Sequence, residues 1–175
     1  MWSSRALALV LLLTGLTAGL GACGFKPLYG VDQSGLSDPQ ADLASIRVAP
    51  IPDRLGQRVR NQLVSYLAPT GHAAQKRYSL DVSLSLSSEG TALAQDESAT
   101  RYNLQLVATF ELTSLANNKK VFSGTARSIA VYNVITSEYA TLVARKDAER
   151  RAARDVAEEI RTRLGVFFSR RTKAS

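Results

Sequence analysis

The chain is poor in the residues that carry most enzyme and metal chemistry. Its 175 residues include one cysteine, Cys23, and one histidine, His72. A single cysteine excludes an intrachain disulfide and any cysteine-based metal site. His72 stands beside Gly71 in a polar turn, which is typical of a surface histidine. The sequence also has no glycine-rich phosphate loop and no metal-ligand cluster. We therefore expect no catalytic residues, no metal site and no enzymatic activity.

A hydrophobic run long enough to cross a bilayer is also missing. Spanning takes about 20 apolar residues, whereas the uncharged run between Arg5 and Cys23 is shorter. Its last part contains Gly15, Gly19 and Gly21. A basic start, a leucine-rich centre and small residues at the end are the layout of a secretory signal. The run therefore predicts export from a bacterial cytoplasm.

The four residues Leu20-Gly21-Ala22-Cys23 resemble a bacterial lipobox. We predict that residues 1–22 are a lipoprotein signal peptide. Cys23 would then carry covalent diacylglycerol and an N-acyl chain, and we expect no other cofactor. Gly24, where an aspartate would favour the inner membrane, favours the outer membrane. Two alternatives stay open: a permanent transmembrane anchor, and an ordinary signal peptide cut at an alanine that leaves Cys23 unmodified.

Beyond the signal peptide, the length suits one domain with one hydrophobic core. Residues 23–43 contain prolines, glycines and no regular period, so they are predicted to be the lipidated N-terminus and a flexible tether. A single domain would cover residues 44–168, and a basic, disordered tail residues 169–175. The formal net charge of the whole chain is +7. Such an excess fits an anionic membrane surface or an anionic glycolipid, and export argues against nucleic acid.

Hydrophobic periodicity predicts four strands and two long helices in the domain. They follow one another as strand 45–51, helix 53–68, strands at 78–87, 102–112 and 121–134, and helix 138–164. We predict an α+β fold: a four-stranded, mostly antiparallel sheet with two helices packed on one face, in the order β-α-β-β-β-α. Serine, threonine, asparagine and charged residues occupy the alternate strand positions. That second face is predicted to meet solvent or a polar partner.

The last helix carries three patterns. Its predicted core line is Tyr139, Leu142, Val143, Val156, Ile160 and Leu164. Alanines spaced by four could pack closely on a row of small residues in the last strand, although alanine is also simply a good helix former. The helix row is Ala140, Ala144, Ala148 and Ala152. The strand row is Gly124, Ala126, Ser128 and Ala130. Ion pairs four residues apart are predicted at Asp147–Arg151, Arg151–Asp155, Arg154–Glu158 and Glu159–Arg163.

Four basic residues outside that helix are candidates for holding phosphate. Lys119 and Lys120 stand at the predicted hairpin tip, Arg101 opens the third strand, and Arg127 lies within the fourth. Arginine can hold phosphate through two parallel hydrogen bonds, and lysine as a point charge. The alternative is that the lysines form a solvated turn that discourages edge-to-edge pairing.

With these features in place, the chain resembles the LptE family of lipopolysaccharide-assembly lipoproteins. The resemblance rests on Cys23-Gly24-Phe25-Lys26-Pro27-Leu28-Tyr29, on Thr100-Arg101-Tyr102, on the final helix from Ala140 to Leu164, and on the order of elements. It implies a non-enzymatic plug and assembly partner within the outer-membrane β-barrel LptD. It also implies that the two together insert lipopolysaccharide and that the family member binds lipopolysaccharide. No motif of the family identifies which residues of this chain would contact lipopolysaccharide.

Two other classes of function remain open. The first is an accessory lipoprotein of a lipid-trafficking ABC transport system, which would also be anchored and of mixed fold. The second is a periplasmic enzyme, which the missing nucleophile, base and metal groups disfavour.

Overall fold

A computed structural model describes residues 39–69, 75–93 and 100–174, all within one compact unit of residues 31–175. The predicted α+β fold is confirmed, with one additional short helix. In chain order the elements are α1 (Pro39–Ala44), β1 (Ile46–Val48), α2 (Asp53–Leu67), β2 (Tyr78–Leu93), β3 (Thr100–Ser114), β4 (Lys120–Val134) and α3 (Glu138–Ala174).

The four strands form one sheet in the order β1-β2-β3-β4. The neighbours β2, β3 and β4 pair antiparallel, as consecutive strands joined directly do. The short β1 pairs parallel with β2, with Ile46 opposite Tyr78. A parallel pair needs a long crossover connection, and here α2 lies within that connection. The sheet is therefore a three-stranded meander with a short parallel strand at one edge.

Alternation along the strands gives the sheet one buried and one wet face, as the sequence predicts. In β3, Leu104, Leu106 and Leu112 have no exposed surface, while their neighbour Thr109 is exposed. The helices cover the buried face. The side of α3 that faces the sheet is fully buried at Ala148, Ala152, Val156, Ile160 and Leu164.

The close packing of α3 on β4 is confirmed for Ala148 and Ala152, whereas Ala140 and Ala144 are only partly buried. Ala126 and Ala152 have no exposed surface, and the buried hydroxyl of Ser128 donates a hydrogen bond of 2.9 Å to Asp155 Oδ2. The backbone N–H of Arg127 donates to Glu159 Oε2 at 2.9 Å. Since β4 is an edge strand, these side chains of α3 cover part of an edge that would otherwise be open to another strand.

The connection into α2 runs very close to the helix. A Cβ added at Gly56 would lie 2.7 Å from Ile51 Cγ2, so the helix can pass the Ile51 loop there only with glycine. Asp53 is the first residue of this helix and has a φ of 67°. Pro52 occupies the capping position without a side-chain hydrogen bond.

Both ends of the domain extend further than predicted. Residues 39–43 were expected to belong to the tether, but α1 buries Leu43 at 1% exposure, and Asp42 pairs with Arg77. At the other end, the predicted disordered tail from residue 169 is wrong, because α3 continues to Ala174. Its added turns are held in part by Phe168, which is 1% exposed and whose ring centroid lies 5.3 Å from that of Tyr78.

The predicted core line of α3 is wrong at its first turns. Tyr139 is 77% exposed, Leu142 48% and Val143 45%. The cause is geometric: Arg151 Nη2 donates to Val131 O at 2.8 Å, which fixes the helix against the strand there. Tyr139 precedes Arg151 by twelve residues, about 18 Å at 1.5 Å per residue. From Val131, β4 continues for only three residues, about 10 Å. The first turns of α3 therefore project beyond the end of the sheet.

Candidate functional site

The structure places the four predicted phosphate-binding residues along the wet side of the sheet without bringing them together. Lys120, Arg127 and Arg101 are all exposed, and Arg101 pairs with Asn133 across the sheet. Arg127 lies seven residues from Lys120 and six from Asn133 along β4. At about 3.4 Å per residue these separations are about 24 Å and about 20 Å. No single phosphate group could contact all of them.

The hairpin tip is built by a turn over residues 115–119. Asn118 adopts a φ of 54°, which asparagine tolerates better than most residues. Asn117 Oδ1 accepts a hydrogen bond from the backbone N–H of Lys119 at 3.1 Å. Both lysine side chains are exposed at this tip.

Lys120 is only in part available to an anion. Its Nζ lies 2.6 Å from Glu111 Oε2, with both side chains about half exposed. The pair borders a shallow cavity of about 400 Å³ whose charged lining residues are Asp81, Glu111 and Lys120. Two carboxylates against one ammonium make this cavity a poor phosphate site. The assignment of Lys119, Lys120, Arg127 and Arg101 to lipopolysaccharide contacts stays a prediction.

A second basic surface lies in the groove between α2 and α3. The groove has a volume of about 380 Å³, and its lining within residues 39–69, 75–93 and 100–174 includes four arginines and one carboxylate. Residues three and four apart share one face of a helix, which is how each helix turns several side chains into the groove. Its lining residues are Arg58, Asn61 and Gln62 from α2, and Asp147, Arg150, Arg151, Ala153 and Arg154 from α3. We call this surface the arginine groove.

Two of these arginines are held in place and two are not. Asp147 pairs with Arg150 at 2.7 Å and also with Arg151, whose other nitrogen reaches the Val131 carbonyl. No ion pair between described residues includes Arg58 or Arg154. The Arg58 Nη1 is buried and has no hydrogen-bond partner among the described side chains and backbone. The groove therefore combines fixed and uncompensated guanidinium groups.

Sequence reasoning missed this groove because it treated the charges of α3 as pairs along one helix. The pairs Asp147–Arg151 and Glu159–Arg163 are confirmed. The pairs at Arg151–Asp155 and Arg154–Glu158 are not formed in the structure, and Asp155 instead accepts from Ser128. The available signal was the spacing of Arg150, Arg151 and Arg154, which lie on one helix face. Only the tertiary packing shows that α2 adds Arg58 to them.

Several predicted features lie outside the described residues, namely the signal peptide, Cys23 and His72. Over residues 39–69, 75–93 and 100–174, no group of three or more potential metal ligands comes together. None of the helices described there is both long enough and apolar enough to cross a membrane.

Comparison with known proteins gives a family and a fold. The family model described as LptE, lipopolysaccharide-assembly, matches residues 43–164, from the end of α1 through most of α3. An uncharacterised protein of Rickettsia prowazekii is 27% identical over 152 residues, which are 87% of this chain and 92% of that protein.

Two solved structures share the fold. A putative lipoprotein from Caulobacter crescentus has a TM-score of 0.63 at 24% identity, covering 77% of this chain and 98% of its own. A minor lipoprotein from Acinetobacter baumannii has a TM-score of 0.53 at 18% identity, covering 69% and 91%. At these identities the likeness concerns the architecture of sheet and helices.

Proposed function

We propose that this chain, which belongs to the LptE family of lipopolysaccharide-assembly proteins, is an outer-membrane lipoprotein that partners and plugs an LptD-type β-barrel. Lipid on Cys23 would hold it in the inner leaflet of the outer membrane, facing the periplasm or within the barrel lumen. Its task would be the assembly and insertion of lipopolysaccharide, without catalysis. The observation that carries the proposal is the family match over residues 43–164, which takes in nearly all of the described fold.

The wet face of the sheet supports the plug role. The lumen of an outer-membrane barrel is polar, so a domain that sits inside one needs polar side chains outward. Alternate positions of β2 and of the first part of β4 supply them at Ser83, Ser85, Ser123, Thr125 and Arg127, which are all exposed. The same face of β4 also exposes two apolar side chains, Ile129 and Val131.

The first turns of α3 offer a second contact surface for a protein partner. Tyr139, Leu142 and Val143 are spaced so that they share one helix face, and all three are exposed. We call them the α3 apolar ridge. Exposed apolar side chains that adjoin one another often mark interaction sites. A partner that covers this ridge would bury apolar side chains that the sheet does not reach.

Lipopolysaccharide contact is proposed at Lys119, Lys120, Arg127 and Arg101, one phosphate at a time because of their separation. Lys119 is the strongest of the tip candidates, because Lys120 already has Glu111 beside it. Replacing both lysines by alanine should weaken lipopolysaccharide binding. Unchanged binding in this double variant would remove the hairpin tip from the proposed site.

The proposed partnership is tested by a mild-detergent pull-down of the mature lipoprotein from outer membranes, followed by mass spectrometry. A large β-barrel of the LptD type recovered in about equal amount is the expected result. Recovery of an inner-membrane transporter without a barrel would favour the alternative, an accessory lipoprotein of a lipid-trafficking ABC system.

The same pull-down can test the α3 apolar ridge with a matched pair of variants. Leu142→Asp places a charge on the ridge, whereas Val64→Asp places one at a similarly exposed apolar position of α2. Barrel recovery should fall for Leu142→Asp and stay near the unmodified level for Val64→Asp. Equal recovery of both would exclude the ridge from the contact.

A further inference from the structure

We propose that the arginine groove between α2 and α3 is a binding site for a phosphate-bearing anion. Arg58 and Arg154 would be the principal ligands, with Arg150 and Arg151 supplying additional positive charge. The groove lies on the helical side of the sheet, whereas Lys119, Lys120 and Arg127 belong to its wet face and hairpin tip. It is therefore a site additional to the lipopolysaccharide contacts proposed above.

The charge balance of the groove favours an anion. Among the residues that the structure describes, four guanidinium groups and one carboxylate, that of Asp147, line the groove. Like charges held close together repel one another, and the repulsion is stronger where protein displaces water. A dianion entering the groove would offset most of the excess positive charge that remains after Asp147 is counted.

The fixed arginines prepare the groove for a ligand. Arg151 is held from two sides, by Asp147 and by the Val131 carbonyl. Arg150 is held by the same carboxylate at 2.7 Å. Because these two side chains are already ordered, a ligand need not order them again, and that lowers the entropic cost of binding. Asp147 thus acts as a positioning residue for both arginines.

The unpaired arginines give the ligand its contacts. Arg154 is exposed and can turn its planar guanidinium towards a phosphate with two parallel hydrogen bonds. Arg58 has a shielded Nη1 without an acceptor among the described residues. A buried donor without an acceptor costs free energy, and a small rotation towards an anion in the groove would supply that acceptor. Asn61 and Gln62 add neutral amide groups to the lining.

Phosphate could reach the groove as a free phosphate ester or on the headgroup of a phosphorylated glycolipid. The chemistry recognised is the same in both cases. Only the glycolipid source rests on the proposed function, so the groove would remain an anion site even if no barrel partner were found.

The test uses the mature chain, titrated with inorganic pyrophosphate by calorimetry and mixed with vesicles that contain lipid A. The groove variant Arg58→Gln/Arg154→Gln is compared with Arg145→Gln/Arg163→Gln, which removes the same charge from exposed, glutamate-paired positions of α3 outside the groove. Pyrophosphate affinity should fall about tenfold or more in the groove variant, the loss expected for charged hydrogen bonds. The control should stay within about threefold of the unmodified chain.

A second pair of variants keeps the test decisive if the double groove variant does not fold. Asn61→Asp adds a negative charge to the groove lining, and Gln57→Glu adds one to an exposed position of α2 that does not line it. Asn61→Asp should weaken pyrophosphate binding several-fold more than Gln57→Glu. Equal affinities within each pair, or no binding of pyrophosphate to the unmodified chain, would overturn the proposal. If lipid A vesicles lower the pyrophosphate affinity of the chain without substitutions more than vesicles lacking lipid A do, the glycolipid is the source. If both kinds of vesicle leave that affinity equal, the source is a free phosphate ester.

Discussion

At the scale of single residues, the packing of Phe110 of β3 against β4 depends on Gly124. Phe110 stands directly opposite it, and a Cβ at position 124 would come within 2.8 Å of the Phe110 ring carbon Cζ. The Phe110 ring also contacts Phe122, with centroids 5.9 Å apart, and Phe122 stacks on Phe167 of α3 at 4.8 Å. One missing methyl group therefore lets an aromatic cluster join the sheet to the end of α3.

Gly124→Ala should destabilise the domain by about 1–3 kcal/mol, because overpacking forces the Phe110 ring from its position. Urea unfolding of the mature chain measures the loss. Ser123→Ala, the neighbouring exposed position, should change the free energy of unfolding by no more than about 0.5 kcal/mol. Adding Phe110→Leu to Gly124→Ala should cost less than the sum of the single changes. If the two free-energy costs add in full, the alanine at position 124 is not overpacked against the Phe110 ring.

At the scale of elements, α3 lies close on β4 because both present small side chains to each other. Ala152→Leu distinguishes this packing from the alternative that alanine is only a good helix former. Leucine has nearly the same helix propensity as alanine, so propensity alone predicts almost no change. Close packing predicts a loss of about 1–3 kcal/mol or more, measured by thermal or urea unfolding. Glu158→Leu, at an exposed position of the same helix, is the control, and equal stabilities would contradict the close approach.

The last turns of α3 are a second element whose contribution can be measured. Phe168 is 1% exposed and packs against Tyr78 and Phe167, with ring centroids 5.3 and 5.1 Å away. Phe168→Ala should therefore cost about 3–5 kcal/mol in urea unfolding. Arg170→Ala is the control: Arg170 lies two residues further along α3 and is exposed, so its loss should change the free energy of unfolding little. If Phe168→Ala also cost little, the end of α3 would contribute nothing to the core.

The sequence predicts the long, regular elements well and the short or unusually placed ones poorly. Period-two alternation in β2 and β3 is unambiguous, because each strand has one wet face. The six residues of α1 are too few to show a period. The α3 apolar ridge has the helical spacing of a core face, and spacing alone cannot tell whether a sheet or another protein covers it. The continuation of α3 beyond residue 168 depends on tertiary contacts such as that of Phe168 with Tyr78.

The candidate sites show the same limit. The basic residues of the wet face could be found from alternation, since Arg127 shares a face with Ser123 and Thr125. Their wide separation follows from strand pairing, which fixes Arg101 opposite Asn133. The arginine groove needs two helices that are far apart in the chain to pack side by side. No pattern within α2 or α3 alone predicts that Arg58 lies near Arg154.

At the scale of the whole molecule, the proposed role requires that the domain be held at a membrane surface. The prediction for this rests on Cys23 and the residues before it. A diacylglyceryl group together with an N-acyl chain supplies more than one hydrocarbon chain, which stable anchoring requires. A domain anchored in this way stays near its membrane partner, so that binding occurs at a high effective concentration.

In liposomes that contain no barrel partner, Cys23→Ala should remain in the aqueous fraction, and Gly24→Ala, which keeps the thiol, should bind the liposomes. Intact mass spectrometry of the protein without substitutions should show an N-terminus at Cys23 with the added mass of diacylglycerol and an acyl chain.

The two alternatives to lipid anchoring predict different results. A permanent transmembrane anchor would keep Cys23→Ala in the membrane with residues 1–22 still attached. An ordinary signal peptide would leave even the protein without substitutions free of lipid mass and unable to bind these liposomes. Either result would contradict lipid anchoring through Cys23, whereas the family membership rests on residues 43–164 and would stand.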